Sequence, residues 1–163
     1  MRKIVDTEDA DEHSTLASEA ATPDEASDLL LGVPSNQSIS ETYPEPVHVF
    51  RLWQIFLERV NPLCKVIHVP SVQPYVVEVA SGNWEILQNY RPLLFAIFNM
   101  AVFSLKEAEC QQMLGVSREA ALRKFTSGLR NALIQVHFMR TYDLCILQAL
   151  VLYLVSTHLF FDF

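Results

Sequence analysis

Apolar residues fall at helical spacing from position 49 onward. Val49/Phe50, Trp53, Phe56/Leu57 and Val60 recur every three or four residues, while Arg51, Gln54, Glu58 and Arg59 take the opposite side. That period predicts an amphipathic helix. Asn61-Pro62 stops it, because a residue before proline is pushed out of the α region. Leu63 to Pro70 reads as extended. Ser71 is the expected cap of the next helix, Pro74 lies early enough in it to be tolerated, and Ser81-Gly82 ends it. A second apolar helix then follows Arg91-Pro92 from Leu93 to Leu105, and a short one runs from near Lys106 to Gly115. Ser117 caps a long helix that buries Leu122, Phe125, Leu129, Leu133 and Val136 and wets Arg118, Arg123, Lys124 and Arg130. The last helix begins around Thr141-Tyr142-Asp143 and runs through Leu144 to Val155. No strand-like alternation persists for more than a few residues. The expected fold is all-α, an array of about six helices.

Residues 1–45 break this pattern. Tyr43 is their only aromatic, and Asp, Glu, Ser, Ala and Thr dominate. Such a stretch buries too little apolar surface to offset its ordering entropy, so it is expected to be a disordered acidic tail before a helical domain at 46–163. Within it, Ala26 to Leu31 mixes acidic and bulky apolar residues, as a partner-binding segment does; an ordinary linker is the plainer reading.

Charge divides along the same line. Residues 1–45 hold two basic side chains, Arg2 and Lys3, against eleven acidic ones, a net of −9. Residues 46–163 hold ten basic and eight acidic, a net of +2. An acidic tail repels the phosphate backbone, and the remainder has no dense basic stripe, so charge does not predict nucleic-acid binding. Met1 to Val5 lead straight into acidic residues without an apolar stretch, so no secretory leader is expected. Cys64, Cys110 and Cys145, odd in number and far apart, then read as free buried thiols. The same dispersal argues against metal: the cysteines are separated by 46 and 35 residues and His13, His48, His68, His137 and His158 are scattered. A structural zinc site is built from close ligand pairs. No nucleophile elbow, phosphate loop or zinc-protease motif occurs, and Cys64 with His68 rests on sequence proximity alone, so neither catalytic nor cofactor-binding residues are expected.

Two segments invite sharper readings. Residues 108–125 run short helix, Leu114-Gly115-Val116-Ser117 turn, second helix, in the manner of a helix-turn-helix DNA binder. Against this, Arg118 is followed by Glu119, Ala120 and Ala121, a poor set for reaching base edges. Residues 144–161 contain no Asp, Glu, Lys or Arg and approach the length that spans a bilayer, the mark of a small membrane protein. Gln148, Ser156, Thr157 and His158 interrupt the run and no basic cluster flanks it, so a core helix is the preferred reading.

Taken in order, several segments resemble a known family. Leu52-Trp-Gln-Ile-Phe-Leu-Glu-Arg-Val-Asn-Pro-Leu63, then Lys65-Val-Ile-His-Val-Pro-Ser-Val-Gln73, then Leu93 to Phe98 with Ala101-Val102, Ser104-Leu105 and Glu109-Cys110, and finally Leu144 to Leu154 around Leu147-Gln-Ala149, are similar to the fungal-specific transcription factor domain. This is the middle homology region that follows the six-cysteine zinc cluster in fungal regulators. The resemblance covers residues 48 to about 157. It implies a non-enzymatic regulatory domain in the nucleus, controlling transcription, often of a metabolic gene cluster, through protein partners in the transcription machinery or a related regulator. It also implies packing roles for Trp53 and Cys110, a hydrogen-bonding role for His68, and a plain helix junction at Gly115–Ser117.

The six-cysteine module has no counterpart here, so zinc and direct DNA contact are not expected of this chain. His158 to Phe163 does not look like the family's continuation, so a truncated regulator is expected. The helix at 144–161, lacking its usual cover, should expose an apolar patch and favour self-association.

Overall fold

The computed structural model describes residues 31–32, 38–86 and 88–161. Among them there is no strand. The helices are α1 (Ile39–Thr42), α2 (Pro46–Ile55), α3 (Val69–Ala80), α4 (Tyr90–Phe103), α5 (Glu107–Leu114), α6 (Arg118–Gln135) and α7 (Leu144–Phe161). A turn of 3-10 helix, Phe138–Arg140, precedes α7.

Helix α4 is the axis of the molecule. Every residue from Pro92 to Val102 is buried, and Leu93, Leu94, Phe95, Ile97 and Phe98 are at 0% exposure. It is enclosed because α6 and α7 lie along it while α2 approaches from another side. Helix α3 packs on α2, and α5 touches both α2 and α6. The closest approach falls at Gly128 of α6, where a Cβ would stand 2.7 Å from the Phe95 ring and 2.8 Å from Thr42 Oγ1. Only a residue without a side chain lets α1, α4 and α6 meet there.

Helix α6 is capped as its sequence predicts, Ser117 Oγ accepting from the Ala120 N–H at 3.2 Å, and Leu122, Phe125, Leu129 and Leu133 are buried; Val136, expected on the same face, follows the last turn and is only half-buried. Gly115, at φ 71°, terminates α5 in the left-handed region. Asp143 starts α7 by accepting from the Cys145 N–H at 2.8 Å, and it is held by Asn89 Nδ2 at 2.7 Å.

Three local expectations change. Helix α3 begins at Val69, before Ser71; Pro70 occupies its first turn, where no N–H is needed, and the Ser71 hydroxyl pairs with His68 Nδ1 at 2.8 Å instead of capping. The helix ended by Asn61-Pro62 widens into a π-helical turn, Phe56–Val60, with the Asn61 N–H bonded to the Phe56 carbonyl at 2.8 Å. The start of the folded body also shifts. Composition places residues 38–45 in the tail, yet α1 lies on α6, and Tyr43 stacks on Trp84 with centroids 3.9 Å apart and planes 6° from parallel. Leu31 is buried as well, at 1% exposure. One aromatic stacked in the core orders its neighbours although the average composition around it is polar. The rest of the acidic tail, Ala26 to Leu30 included, lies outside the described residues.

Candidate interaction surfaces

The junction of α5 and α6 has the outline of a helix-turn-helix, but its leading basic residue faces the wrong way. The Arg118 guanidinium donates to the Phe103 carbonyl at 2.8 Å, and its central carbon stands 5.1 Å from the centroid of the Phe103 ring. Its backbone N–H is taken by the Glu107 carboxylate at 3.1 Å. Arg118 therefore clasps the C-terminal end of α4, where a cation complements the helix dipole. It was expected on the wet face; a partner 15 residues away in sequence, invisible to periodicity, pulls it inward. Glu119 and Arg123, the next charged residues, pair with each other at 3.5 Å and remain exposed. The arginine that leads α6 is thus turned into the body and held there.

A second clasp holds α5 to α2. Arg59, on the π-helical turn, makes a two-pronged ion pair with Glu109 at 2.7 and 3.0 Å and donates to the Ser104 carbonyl at 3.2 Å. Glu109 also accepts from the Lys106 N–H at 2.8 Å. The Arg59 hydrogen bonds, followed by that backbone N–H, hold the Glu109 carboxyl down to about 2.

Helix α7 presents two unlike faces. Ile146, Ala149, Leu152, Tyr153 and Ser156 are buried against the body, whereas Leu144, Leu147 and Leu154 are 65%, 56% and 51% exposed. Half-buried Leu150 and Val151 lie between them. Positions 144, 147, 151 and 154 follow the spacing of one helical stripe. Its foot is anchored by Gln148, whose side chain donates to the Val66 carbonyl at 2.7 Å. An apolar stripe without a charged neighbour on its own helix is what a docking face looks like. Among the described residues no helix is long and apolar enough to cross a membrane.

The third surface is an open cleft of about 540 Å³ between α4, α6 and α7. Its walls are apolar, from Phe103, Leu122 and Tyr153, and the Glu119–Arg123 pair and Arg130 stand on the α6 side. Its floor is polar and already satisfied: Thr126 Oγ1 donates to Asn99 Oδ1 at 3.2 Å, Asn99 Nδ2 donates to Ser156 Oγ at 3.2 Å, and Ser156 donates to the Tyr153 carbonyl at 2.7 Å. This network fixes the register of three helices, and periodicity gave no sign of it.

The cysteines stay apart. Burial pushes the Cys110 and Cys145 thiols up, away from the thiolate that nucleophilic or metal chemistry requires. Cys145 lies against Tyr90, whose hydroxyl is shifted upward chiefly by their hydrogen bond and then by burial. His68 is engaged with Ser71, and Cys64 is half-buried. Among the described residues no three of His, Cys, Asp or Glu stand close enough to hold a metal ion.

No family model matches the chain, and no solved structure matches it. Its relatives are instead found among curated fungal proteins. It is 48% identical over 160 residues to the pyriculol/pyriculariol biosynthesis cluster transcription factor 1 of Pyricularia oryzae, a match covering 96% of the chain and 21% of that protein. It is 40% identical over 130 residues to the transcriptional regulator nsrM of Aspergillus novofumigatus, covering 79% and 18% respectively. It is 37% identical over 145 residues to the aurofusarin cluster transcription factor aurR2 of Gibberella zeae, covering 89% and 22%. The chain thus spans about a fifth of the length of the curated relatives it matches.

Proposed function

As this chain belongs among the fungal biosynthetic-cluster transcription factors, we propose that it is a helical regulatory segment acting in the nucleus, without catalytic chemistry, through contacts with other proteins. The identity that runs along nearly the whole chain carries this reading: 48% over 160 residues to a named cluster transcription factor. The helical body from residue 38 onward corresponds on this view to part of the middle homology region, with an acidic extension before it. Zinc and DNA contact belong to a six-cysteine module that these residues do not form. The exposed stripe of α7 is the surface we assign to protein contacts, whether with a second copy of this chain, a related regulator or the transcription machinery. The inward clasp of Arg118 is the reason for not assigning DNA contact to residues 108–125.

Fusion of the whole chain to a heterologous DNA-binding domain tests the proposal in a fungal reporter strain. Reporter output should change several-fold relative to the binding domain alone, and Leu147→Glu with Leu154→Glu should abolish the change while leaving protein abundance intact. Unchanged output, or a chain confined to the cytoplasm when tagged, would refute the regulatory reading. A salt-sensitive shift of duplex DNA by the purified chain would refute the assignment to protein contacts.

A further inference from the structure

The N-terminal extension meets the folded body at a basic residue of α6. Leu31 is buried at 1% exposure, and Gly32 lies so close to Arg130 that a Cβ there would collide with the guanidinium. The chain therefore reaches the folded body at an arginine that lines the cleft between α4, α6 and α7. Immediately before that point stand Asp24-Glu-Ala-Ser-Asp-Leu-Leu30, three carboxylates followed by two leucines.

We propose that residues 24–30 dock into this cleft, so that the chain holds its own acidic-hydrophobic segment against α6. The cleft offers what the segment lacks: the apolar wall of Tyr153 for Leu29 and Leu30, and Arg130 and Arg123 along α6 for Asp28, Glu25 and Asp24, with Arg123 giving up its exposed pairing with Glu119, which also lines the cleft. The lengths agree. Arg123 and Arg130 are seven residues apart, about 10 Å along the helix, and seven extended residues span up to about 23 Å. Tethering at Leu31 raises the local concentration of the segment, so weak contacts suffice. The satisfied floor matters too: Asn99, Thr126 and Ser156 bond to one another, so an apolar occupant leaves none of those groups stranded. Docking would mask the segment from outside partners and release it when α6 is engaged elsewhere. This inference stands on the cleft and the charge pattern and does not rest on the regulatory reading above.

Limited proteolysis of the full chain with a glutamate-specific protease tests it, taking cleavage after Glu8 as the internal reference for cleavage after Glu25. At low salt and low protein concentration, Glu25 should be protected by about fivefold or more relative to Glu8, because cleavage samples only the undocked population. Asp24→Lys with Asp28→Lys should remove the protection, as should Arg123→Glu with Arg130→Glu, and combining the two pairs should restore it. The tail variant lies outside the helical body, so a failure of the α6 variant to fold would not spoil the measurement. Equal cleavage at both sites in the native chain, or protection indifferent to the Asp24/Asp28 reversal, would overturn the proposal. Protection that grows with protein concentration would overturn it as well, by assigning the cleft to a second copy's segment.

Discussion

Helices α4 and α7 are almost the same object in sequence and opposite objects in the fold. Arg91 is the only charged side chain of α4, and α7 has none of Asp, Glu, Lys or Arg. Both are apolar nearly all round. Yet α4 is enclosed by α2, α6 and α7 and has no exposed face from Pro92 to Val102, whereas α7 packs mainly on α4 and leaves Leu144, Leu147 and Leu154 in water. An all-apolar helix thus declares that it should be covered without saying by what. In α4 the cover comes from this chain; on α7 it is missing from the described residues, and the uncovered stripe is the face to which protein contacts are assigned.

The largest expected effect exploits that difference directly. Phe98 of α4 is at 0% exposure, so Phe98→Ala should cost about 3–5 kcal/mol through lost burial and an unfilled cavity. Leu147→Ala on α7 should cost no more than about 0.5 kcal/mol, since the side chain is already in water. Denaturant titration of both variants at low concentration checks the pair. A Leu147 variant as damaged as the Phe98 variant would mean that the stripe is covered after all, and the two helices would no longer differ.

Next in size is Gly128, where α6 presses on Phe95 of α4. Gly128→Ala gains helix propensity of up to about 1 kcal/mol, but its methyl group meets a fully buried ring at 2.7 Å. Overpacking typically costs about 1–3 kcal/mol, so net destabilisation is expected, read as a lower denaturation midpoint with unchanged slope. A stabilised variant would show that α4 has room to yield, against the tight enclosure described here. On the uncovered helix a larger change should do less: Leu147→Glu with Leu154→Glu should shift stability by about 0.5 kcal/mol or less. It should instead abolish any concentration-dependent increase in size of the native chain in sedimentation. Loss of folding in that variant would contradict the one-sided packing of α7.

What could be read in advance follows the same divide. Local signals were legible: the Gly115 stop, the Ser117 cap and the buried face of α6 are all written within a few residues of one another. The exposed face of α7 was legible only through the family resemblance, which implied that the helix lacks its usual cover. Pairings at long range were not legible. Arg118 looked like a solvent-facing residue because its partner, the Phe103 carbonyl, belongs to another helix. Ser156 looked like an interruption in an apolar run, and Asn99 and Thr126 gave no signal, though together the three tie three helices. Residues 38–45 were misplaced because composition averaged over 45 positions hides a single stacking aromatic, Tyr43. Charge at 1–45 and on α6 was legible separately, but Gly32 beside Arg130 is what joins them.

The smallest expected effect concerns the covered side, where α5 is fastened to α2 by Arg59 and Glu109. The folded-state pKa of Glu109 is lowered to about 2 from its ordinary 4.5, so folding favours its ionised form. The sign follows from linkage: the stabilisation is fully present above the unfolded pKa and is lost as pH falls through 4.5 toward 2. Glu109→Gln should therefore be slightly less stable than the native chain at neutral pH, and the gap should narrow across that acidic interval. Both side chains are substantially exposed, 42% for Arg59 and 35% for Glu109, so salt should shrink the gap as well. Stability curves of the two proteins at neutral and acidic pH decide it. A gap that stays constant with pH would mean that the Lys106 N–H cap and side-chain packing, rather than the ion pair, fix α5 in place, since a glutamine preserves most of its shape but none of its charge.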